Sequence, residues 1–506
     1  MKTFKCLKLL PIYFLPLISF AQAKYGGEFA VDIFLKPKDS VEITGKVLGY
    51  KPGQSDNFIK ISTYGINGEK KIKSYQLNRD GTYRFSIFQS FGGDIEFGFA
   101  DALVNLFLNG KEKVIINVDN EKATEGNDYK NAIAVEGQLS AVNYQILAFQ
   151  SAFYSHKFER KADLSDKTQS DSLYAAKRLE RLKEELGFLE NYIKQEKIQD
   201  TTFINWERNS LTYNAGKDIL LYPFFGKLNK SISTDNLLKL IAPIPIVKYS
   251  ALHNSAYYDF LQMLASDHGI IYSLNPQYNS VLKENGYNLY PLILNAIDDI
   301  SSGICRELLY YDIYPDNALA ARSGNVVWER FNSTVEQKVL KDLLTEKKLQ
   351  NDAGFKKYSI IDRINHSAIH DTLKHRLADS FVKFKGSNIY VDFWGEWCGP
   401  CMQEFPNYKQ FISSFSGKPI KFVFFSTYTS IERMLAIKNK FGIDATFVNL
   451  SKDEVAVMNN VFEFHSYPSH FLVNKEGIVV NNDSEGVRNE SGVKNTSKLV
   501  TNLLKL

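Results

Sequence analysis

The eleven residues Val391-Asp392-Phe393-Trp394-Gly395-Glu396-Trp397-Cys398-Gly399-Pro400-Cys401 constrain this 506-residue chain more than any other stretch. A run of β-formers, Asn388 to Trp394, leads into two cysteines three residues apart and then into a helical pattern. Thiols placed this way lie at the N-terminus of a helix that follows a strand, the junction of an α/β unit. Cysteines at i and i+3 of a first helical turn close a disulfide with little backbone movement, because their Cα atoms fall within bonding range. Unpaired N–H groups and the helix dipole favour a thiolate on the first of the two. The pattern makes Cys398 the nucleophile and Cys401 its resolving partner, with Cys398–Cys401 as the oxidised form. Zinc is the competing use of such a pair. It fails on arithmetic: the chain has four cysteines, Cys6 falls in the leader, and no second Cys-x-x-Cys or close histidine pair follows to complete four ligands.

The same stretch resembles thioredoxin, departing from its active-site sequence only at Gly395. The continuation Met402-Gln403-Glu404-Phe405-Pro406 resembles the TlpA-like family of exported thioredoxin-fold oxidoreductases, which carry Cys-x-x-Glu-x-Pro there. The resemblance covers Ala378 to Leu506. It implies a thioredoxin fold, exchange with protein disulfides in the reducing direction, no bound cofactor, and a membrane electron donor encoded elsewhere. It also implies a role for Asp392, whose counterpart in thioredoxin handles the proton of the resolving thiol. Physical chemistry agrees, since a carboxyl buried on a central strand has a raised pKa and can take or return a proton. Glu404, one turn beyond Cys401, is open to two readings: a second acid–base group or a solvated helix face. Trp397, Gly399 and Pro400 are expected at a docking surface, with Trp394 as packing. Pro406 falls inside the helical pattern and is expected to kink it.

Downstream, Tyr467-Pro468 precedes Ser469 to Asn474, the turn Lys475-Glu476-Gly477 and Ile478 to Val480, which reads as loop, strand, tight turn, strand. By the same resemblance Pro468 is cis and lies against the cysteine pair. The backbone before it is then open to an incoming peptide that adds like a strand, so Tyr467 and Pro468 join the substrate-binding candidates. His465 and His470 bracket Pro468 and either tune the thiolate or lie at the surface.

The N-terminus reads as a signal peptide, residues 1–23: Lys2, Lys5 and Lys8, an apolar run from Leu9 to Phe20, and Ala21-Gln22-Ala23 as the cleavage site. That run falls short of the roughly 20 residues a spanning helix needs. Cleavage near Ala23 would release a soluble exported protein, periplasmic by the resemblance. Without the leader the chain holds 58 basic and 57 acidic residues, which gives no reason to expect nucleic acid or an anionic membrane as partner. Cys305, in Ile304 to Leu309, reads as a buried inert thiol.

Some 480 residues exceed a single core and imply several domains. Residues 24–138 read as a β-sandwich-like domain, with short strand candidates from Val41 to Val135 separated by turns such as Asn78-Arg79-Asp80-Gly81. Residues 139–377 read as a helical domain, best seen in Asp171 to Lys197, where Leu173, Leu179, Leu182, Leu186 and Leu189 share a face. Tyr257, Tyr258, Tyr310, Tyr311 and Tyr314 read as core or partner surface. His366, His370 and His375 have helical spacing without the acidic base of a metalloprotease motif, so no metal is assigned. Residues 378–506 read as the thioredoxin-like α/β domain. Besides a reductase, the sequence leaves open a disulfide isomerase or oxidase, or an adaptor whose thioredoxin-like module docks a partner. An intact pair of thiols argues against the adaptor, which needs neither sulfur.

Overall fold

A computed structural model describes residues 40–505 apart from single positions, His465 among them, and the segments 125–127, 159–165, 226–233, 266–289, 315–319, 354–356, 367–370 and 483–485. The signal-peptide reading of residues 1–23 and the candidate His370 lie outside the described residues.

The N-terminal region is β-rich. Strands β1 (Val41–Leu48), β4 (Thr82–Ile87), β7 (Lys113–Asp119) and β8 (Ile133–Glu136) form one sheet in the order β4-β1-β7-β8. Strands β2 (Phe58–Tyr64), β3 (Lys70–Gln76), β5 (Gly93–Phe99) and β6 (Ala102–Leu108) form a second, ordered β3-β2-β5-β6. Alternation explains the packing: Ile43 and Val47 from one sheet share an apolar core with Ile59, Ile61, Ile95 and Phe97 from the other. Two short helices, α1 (Asn120–Thr124) and α2 (Tyr129–Ala132), lie between β7 and β8.

Helices then follow one another: α3 (Ser140–Ser155), α4 (Asp171–Gln195), α5 (Thr201–Phe225), α6 (Thr234–Leu240), α7 (Ser255–Ala265), α8 (Tyr290–Ile300), α9 (Gly303–Ile313), α10 (Ala320–Thr334) and α11 (Lys338–Ala353). Ser170 caps α4, accepting the backbone N–H of Leu173, and Leu182 and Leu189 turn into the core while Leu173 stays exposed. Tyr257, Tyr258, Tyr310 and Tyr314 are buried in the same cluster, so these rings are packing groups. Cys305 is fully buried and its sulfur accepts the Tyr257 hydroxyl at 3.0 Å.

The C-terminal region is a six-stranded sheet in the order β12-β11-β10-β13-β14-β9. Its strands are β9 (Tyr358–Ser359), β10 (Asn388–Trp394), β11 (Ile420–Ser426), β12 (Thr446–Asn449), β13 (Ser469–Val473) and β14 (Ile478–Asn481). β10, β11 and β12 are parallel, whereas β13 runs antiparallel to β10. The helices are α12 (Ile360–His366), α13 (Asp371–Val382), α14 (Gly399–Ser413), α15 (Ile431–Phe441), α16 (Lys452–Phe462) and α17 (Glu490–Leu503). β9 and α12 belong to this layer because β9 pairs with β14, and Ile360 and Ile364 enter its core. Residues read from the sequence as helical domain thus pack with the sheet, since an edge strand of two residues carries no periodicity to read. Successive residues of β10 face opposite layers. Ile389, Val391 and Phe393 pack on the α12–α13–α16 side, and Tyr390 and Trp394 on the α14 side.

The sheet unit touches the β-rich region through α16 and β3. Asn460 donates its side-chain amide to Ser74 O at 2.9 Å and accepts the Ser74 N–H at 3.2 Å, occupying the open edge of β3.

Candidate active site

β10 delivers the chain to Cys398, which is the N-cap of α14. Its sulfur accepts the backbone N–H of Cys401 at 3.2 Å, so the unpaired donors of a helix start point at this atom. The two cysteines form a disulfide with Cα atoms 5.3 Å apart. Pro400 suits the first turn, where its missing N–H costs nothing. Gly399 and Pro400 are exposed, whereas Cys398 and Cys401 are 4% and 1% exposed. The contrast in exposure between the two sulfurs is therefore slight in the oxidised form. α14 continues through Pro406 to Ser413.

Three aromatic groups rim the pair. Trp397 is half exposed, and its indole N–H donates to Thr427 O at 3.1 Å. Its ring meets Tyr467 edge-on at 5.0 Å, with Tyr428 on the other side at 6.5 Å. Gly395 is required by this arrangement: a Cβ there would lie 2.3 Å from Trp397 Nε1 and 3.0 Å from Thr427 O. Trp394 is buried and packs on Phe405. The Tyr467–Pro468 peptide bond is cis.

Behind the pair, strand alternation puts Asp392 on the α14 face, and cross-strand register sets His470 of β13 opposite it. On α14, Glu404 and Tyr408 lie one and two turns beyond Cys401, on the face that carries Cys401 inward. Asp392, Glu404, Tyr408 and His470 are all buried. The Tyr408 hydroxyl is 2.8 Å from Asp392 Oδ2 and 2.7 Å from Glu404 Oε2. His470 Nε2 is 3.0 Å from Glu404 Oε2 and 3.6 Å from Asp392 Oδ1. Arg488, nearly half exposed, reaches Glu404 Oε1 at 3.5 Å. Gly486 closes the cluster at φ +72°, where a Cβ would lie 2.1 Å from Glu404 Oε1. Burial pushes the Asp392 carboxyl up to about 7; the nearby imidazole opposes the rise, the Glu404 carboxyl adds to it, and the Tyr408 hydroxyl opposes it. Burial likewise holds the Tyr408 phenol well above its ordinary range, so it keeps its hydrogen.

Asp392, Glu404 and His470 approach closely enough to share an ion. The Tyr408 hydroxyl bridging the two carboxyls, and the direct carboxyl–imidazole contact, instead fit shared protons.

The family model described as thioredoxin-like matches residues 386–479. These residues form a thioredoxin-like domain. The chain is 29% identical over 112 residues to the thiol-disulfide oxidoreductase ResA of Bacillus subtilis, an alignment covering 22% of this chain and 60% of the relative. The ResA of Geobacillus kaustophilus is 24% identical over 106 residues, covering 21% of this chain and 57% of that protein. The chain thus spans less than two thirds of the length of these curated relatives. Among solved structures, the thioredoxin domain of a thiol-disulfide oxidoreductase from Bacteroides vulgatus matches at 25% identity and a TM-score of 0.21, covering 24% of this chain and 82% of that one.

Within the thioredoxin-like domain, Asp392 falls on β10, Trp397 and Cys398 on the turn into α14, Gly399, Pro400, Cys401 and Glu404 on α14, and Tyr467 and Pro468 on the loop before β13. Glu404 is fully buried, so the solvated-face reading does not hold. Sequence reasoning passed over Tyr408, which looks like one more packing ring, and left His470 open. The signal for His470 was a histidine two places beyond a strand-leading proline. His366 is exposed, with Nδ1 2.7 Å from Asp362 O, and His375 is also exposed.

Proposed function

We propose that this protein is an exported thiol–disulfide oxidoreductase that reduces protein disulfides. The observation that carries the reading is the placement of Cys398 as the N-cap of α14, its sulfur accepting the Cys401 N–H while linked to Cys401. A backbone donor at that atom stabilises a thiolate, the nucleophilic form of cysteine. The reduced Cys398 attacks a substrate disulfide on a chain lying along Tyr467 and Trp397, forming a mixed disulfide and releasing one substrate thiolate. Cys401 then attacks Cys398, giving up its proton to Asp392, and releases the second substrate thiolate. The ResA relatives carry the activity in their names, which supports the same reading for this domain.

Export rests on the leader sequence 1–23, and reductant must come from a membrane donor. No described helix is long and apolar enough to cross a membrane. For the rest of the chain we infer a β-sandwich near residues 24–138, supported by the core its two sheets share, and a helical domain from residue 139. The thioredoxin-like unit is best begun near Tyr358 rather than Ala378, where β9 joins the sheet.

Incubation with an exported-protein extract tests the order of attack. Cys401→Ser should accumulate mixed disulfides that run as reducible adducts, and Cys398→Ser should give none. Equal adducts from both variants would refute the assignment.

A further inference from the structure

The buried cluster behind the disulfide holds fewer hydrogens than its contacts require unless one carboxyl is protonated. Tyr408 has one hydroxyl hydrogen, yet its oxygen makes short contacts to two carboxyl oxygens, Asp392 Oδ2 and Glu404 Oε2. It can donate to one of them, so the other must donate to it. Glu404 has the better claim to the negative charge. Its Oε2 faces both His470 Nε2 and the Tyr408 hydroxyl, and its Oε1 faces the Arg488 guanidinium. Asp392 has the Tyr408 oxygen on one side; its Oδ1, like Glu404 Oε1, has no hydrogen bond, but it faces His470 Nε2 at 3.6 Å where Glu404 Oε1 faces a guanidinium at 3.5 Å. Asp392 therefore donates to Tyr408, Tyr408 donates to Glu404, and Glu404 also accepts from His470. Cys398 and Cys401 are joined as the disulfide, the state reached after Cys401 has lost its proton.

We propose that Tyr408 relays the proton taken by Asp392 to Glu404, with His470 and Arg488 positioned to hold Glu404 ready to receive it. In the step, the Asp392 O–H proton passes to the Tyr408 oxygen while the Tyr408 hydrogen passes to Glu404 Oε2. One O–H bond breaks and one forms on each side of the phenol, and no electrons leave the cluster. The transfer leaves Asp392 a carboxylate and Glu404 protonated beside Arg488, whose side chain reaches solvent; near pH 6 the oxidised protein at rest has taken a proton back onto Asp392. The groups facing the relay are Asp392 and Tyr390 on β10, Glu404 and Tyr408 on α14, His470 on β13 and Arg488 before α17. Burial of Asp392, which favours its neutral form, agrees with the assigned hydrogen. Tyr408 and His470 are positioning residues, since neither needs to touch the sulfur atoms.

The inference rests on the oxidoreductase reading, and two measurements on the full-length protein separate them. Infrared difference spectra of the oxidised protein near pH 6 need no turnover. A protonated-carboxyl band should be present, vanish in Asp392→Asn, and shift in Tyr408→Phe as the hydrogen bond is lost. Stopped-flow exchange with a model peptide disulfide reads the two chemical steps. Tyr408→Phe should slow resolution about tenfold while leaving the first attack within about twofold, and should flatten the pH dependence of resolution; positioned proton-transfer groups contribute on the order of 10²-fold or more in full. His470→Gln, which keeps a donor toward Glu404, should retain most of the rate that His470→Leu loses. A missing Asp392-dependent band, or wild-type resolution in Tyr408→Phe across that pH range, would overturn the relay. Absence of any mixed disulfide in the wild-type protein would instead overturn the oxidoreductase reading while the band still tests the assigned hydrogen.

Discussion

Two pairs of buried acids among the described residues stand in different surroundings. Asp392 and Glu404 lie behind the disulfide, whereas Asp94 and Glu207 lie where the β-rich region meets the helices. Both members of each pair are almost wholly buried. Asp94, on β5, accepts the Ser255 backbone N–H at 2.8 Å and the Ser255 hydroxyl as well, fixing the first residue of α7 to the sheet. Burial pushes its carboxyl up to about 6 despite those bonds, and pushes Glu207 up to about 8, with the Asp94 charge adding to the rise. By pKa alone Asp392 is indistinguishable from Asp94 and Glu207. What separates them is the neighbour: a helix terminus in one case, a sulfur pair one turn away in the other. A displaced pKa marks burial, and becomes chemistry only where a reacting group is within reach.

The comparison breaks first on rates. Asp392→Asn should slow resolution by roughly 100-fold, the scale of a lost general base, with the first attack little changed. Asp94→Ala should leave both exchange steps at wild-type rates and instead cost about 1–3 kcal/mol of stability, the penalty for stranding buried donors. Stopped-flow exchange and urea unfolding on the same two variants decide it. Loss of exchange in Asp94→Ala would mean the pairs are coupled.

Stability against pH gives the next largest effect. Asp94, Asp392 and Glu207 each bind a proton in the folded state at pH values where the unfolded chain, near its ordinary 4, has released it. Their contribution is whole below about pH 4 and is lost as pH rises through about 6, 7 and 8 for Asp94, Asp392 and Glu207. Wild-type stability should therefore fall between pH 5 and 9. Asp392→Asn and Glu207→Gln should each lose less over that range, by roughly 2–4 kcal/mol at its upper end. Parallel urea curves for variants and wild type would contradict the buried-acid account of both sites.

The smallest effect sharpens the view of the rim. Gly395→Ala should push the Trp397 indole off Thr427 O, since the new methyl would sit on its nitrogen. About 1 kcal/mol of stability, the scale of one hydrogen bond, and a red shift of tryptophan emission are expected. Unchanged emission would show that the indole has room to keep its bond.

The two regions also differ in what their residues disclose. In the thioredoxin-like domain the strand Asn388–Trp394 is legible residue for residue, because a run holding five β-formers in seven residues ends at a glycine and a Cys-x-x-Cys helix start. Serine caps begin α15 and α16, a local signal that a sequence carries: Ser430 accepts from Arg433 N, and Ser451 forms a capping box with Glu454. In the middle, α3 escaped notice because its face is built from small residues and aromatics rather than a leucine stripe. α5 runs on through Pro223 to Phe225, and Tyr222 near its end stacks on Tyr174 of α4, a contact that the local pattern does not encode. Within the site, Cys398, Cys401 and Asp392 could be read from spacing. The link from Asp392 to His470 could not, because it depends on antiparallel register between strands nearly 80 residues apart, and a one-residue slip would point His470 into the opposite layer.

The central claim is that Cys398 and Cys401 form a reducing pair, and the reduction potential of that pair tests it most directly. Equilibration of the full-length protein with glutathione or dithiothreitol buffers, followed by counting of thiols that react, gives the value; Cys305 is buried and sets a constant background. Gly399-Pro400 between the cysteines, as in reducing thioredoxins, predicts a potential near about −270 mV. A potential more positive than about −180 mV, in the range of isomerases and oxidants, would contradict the reductase assignment.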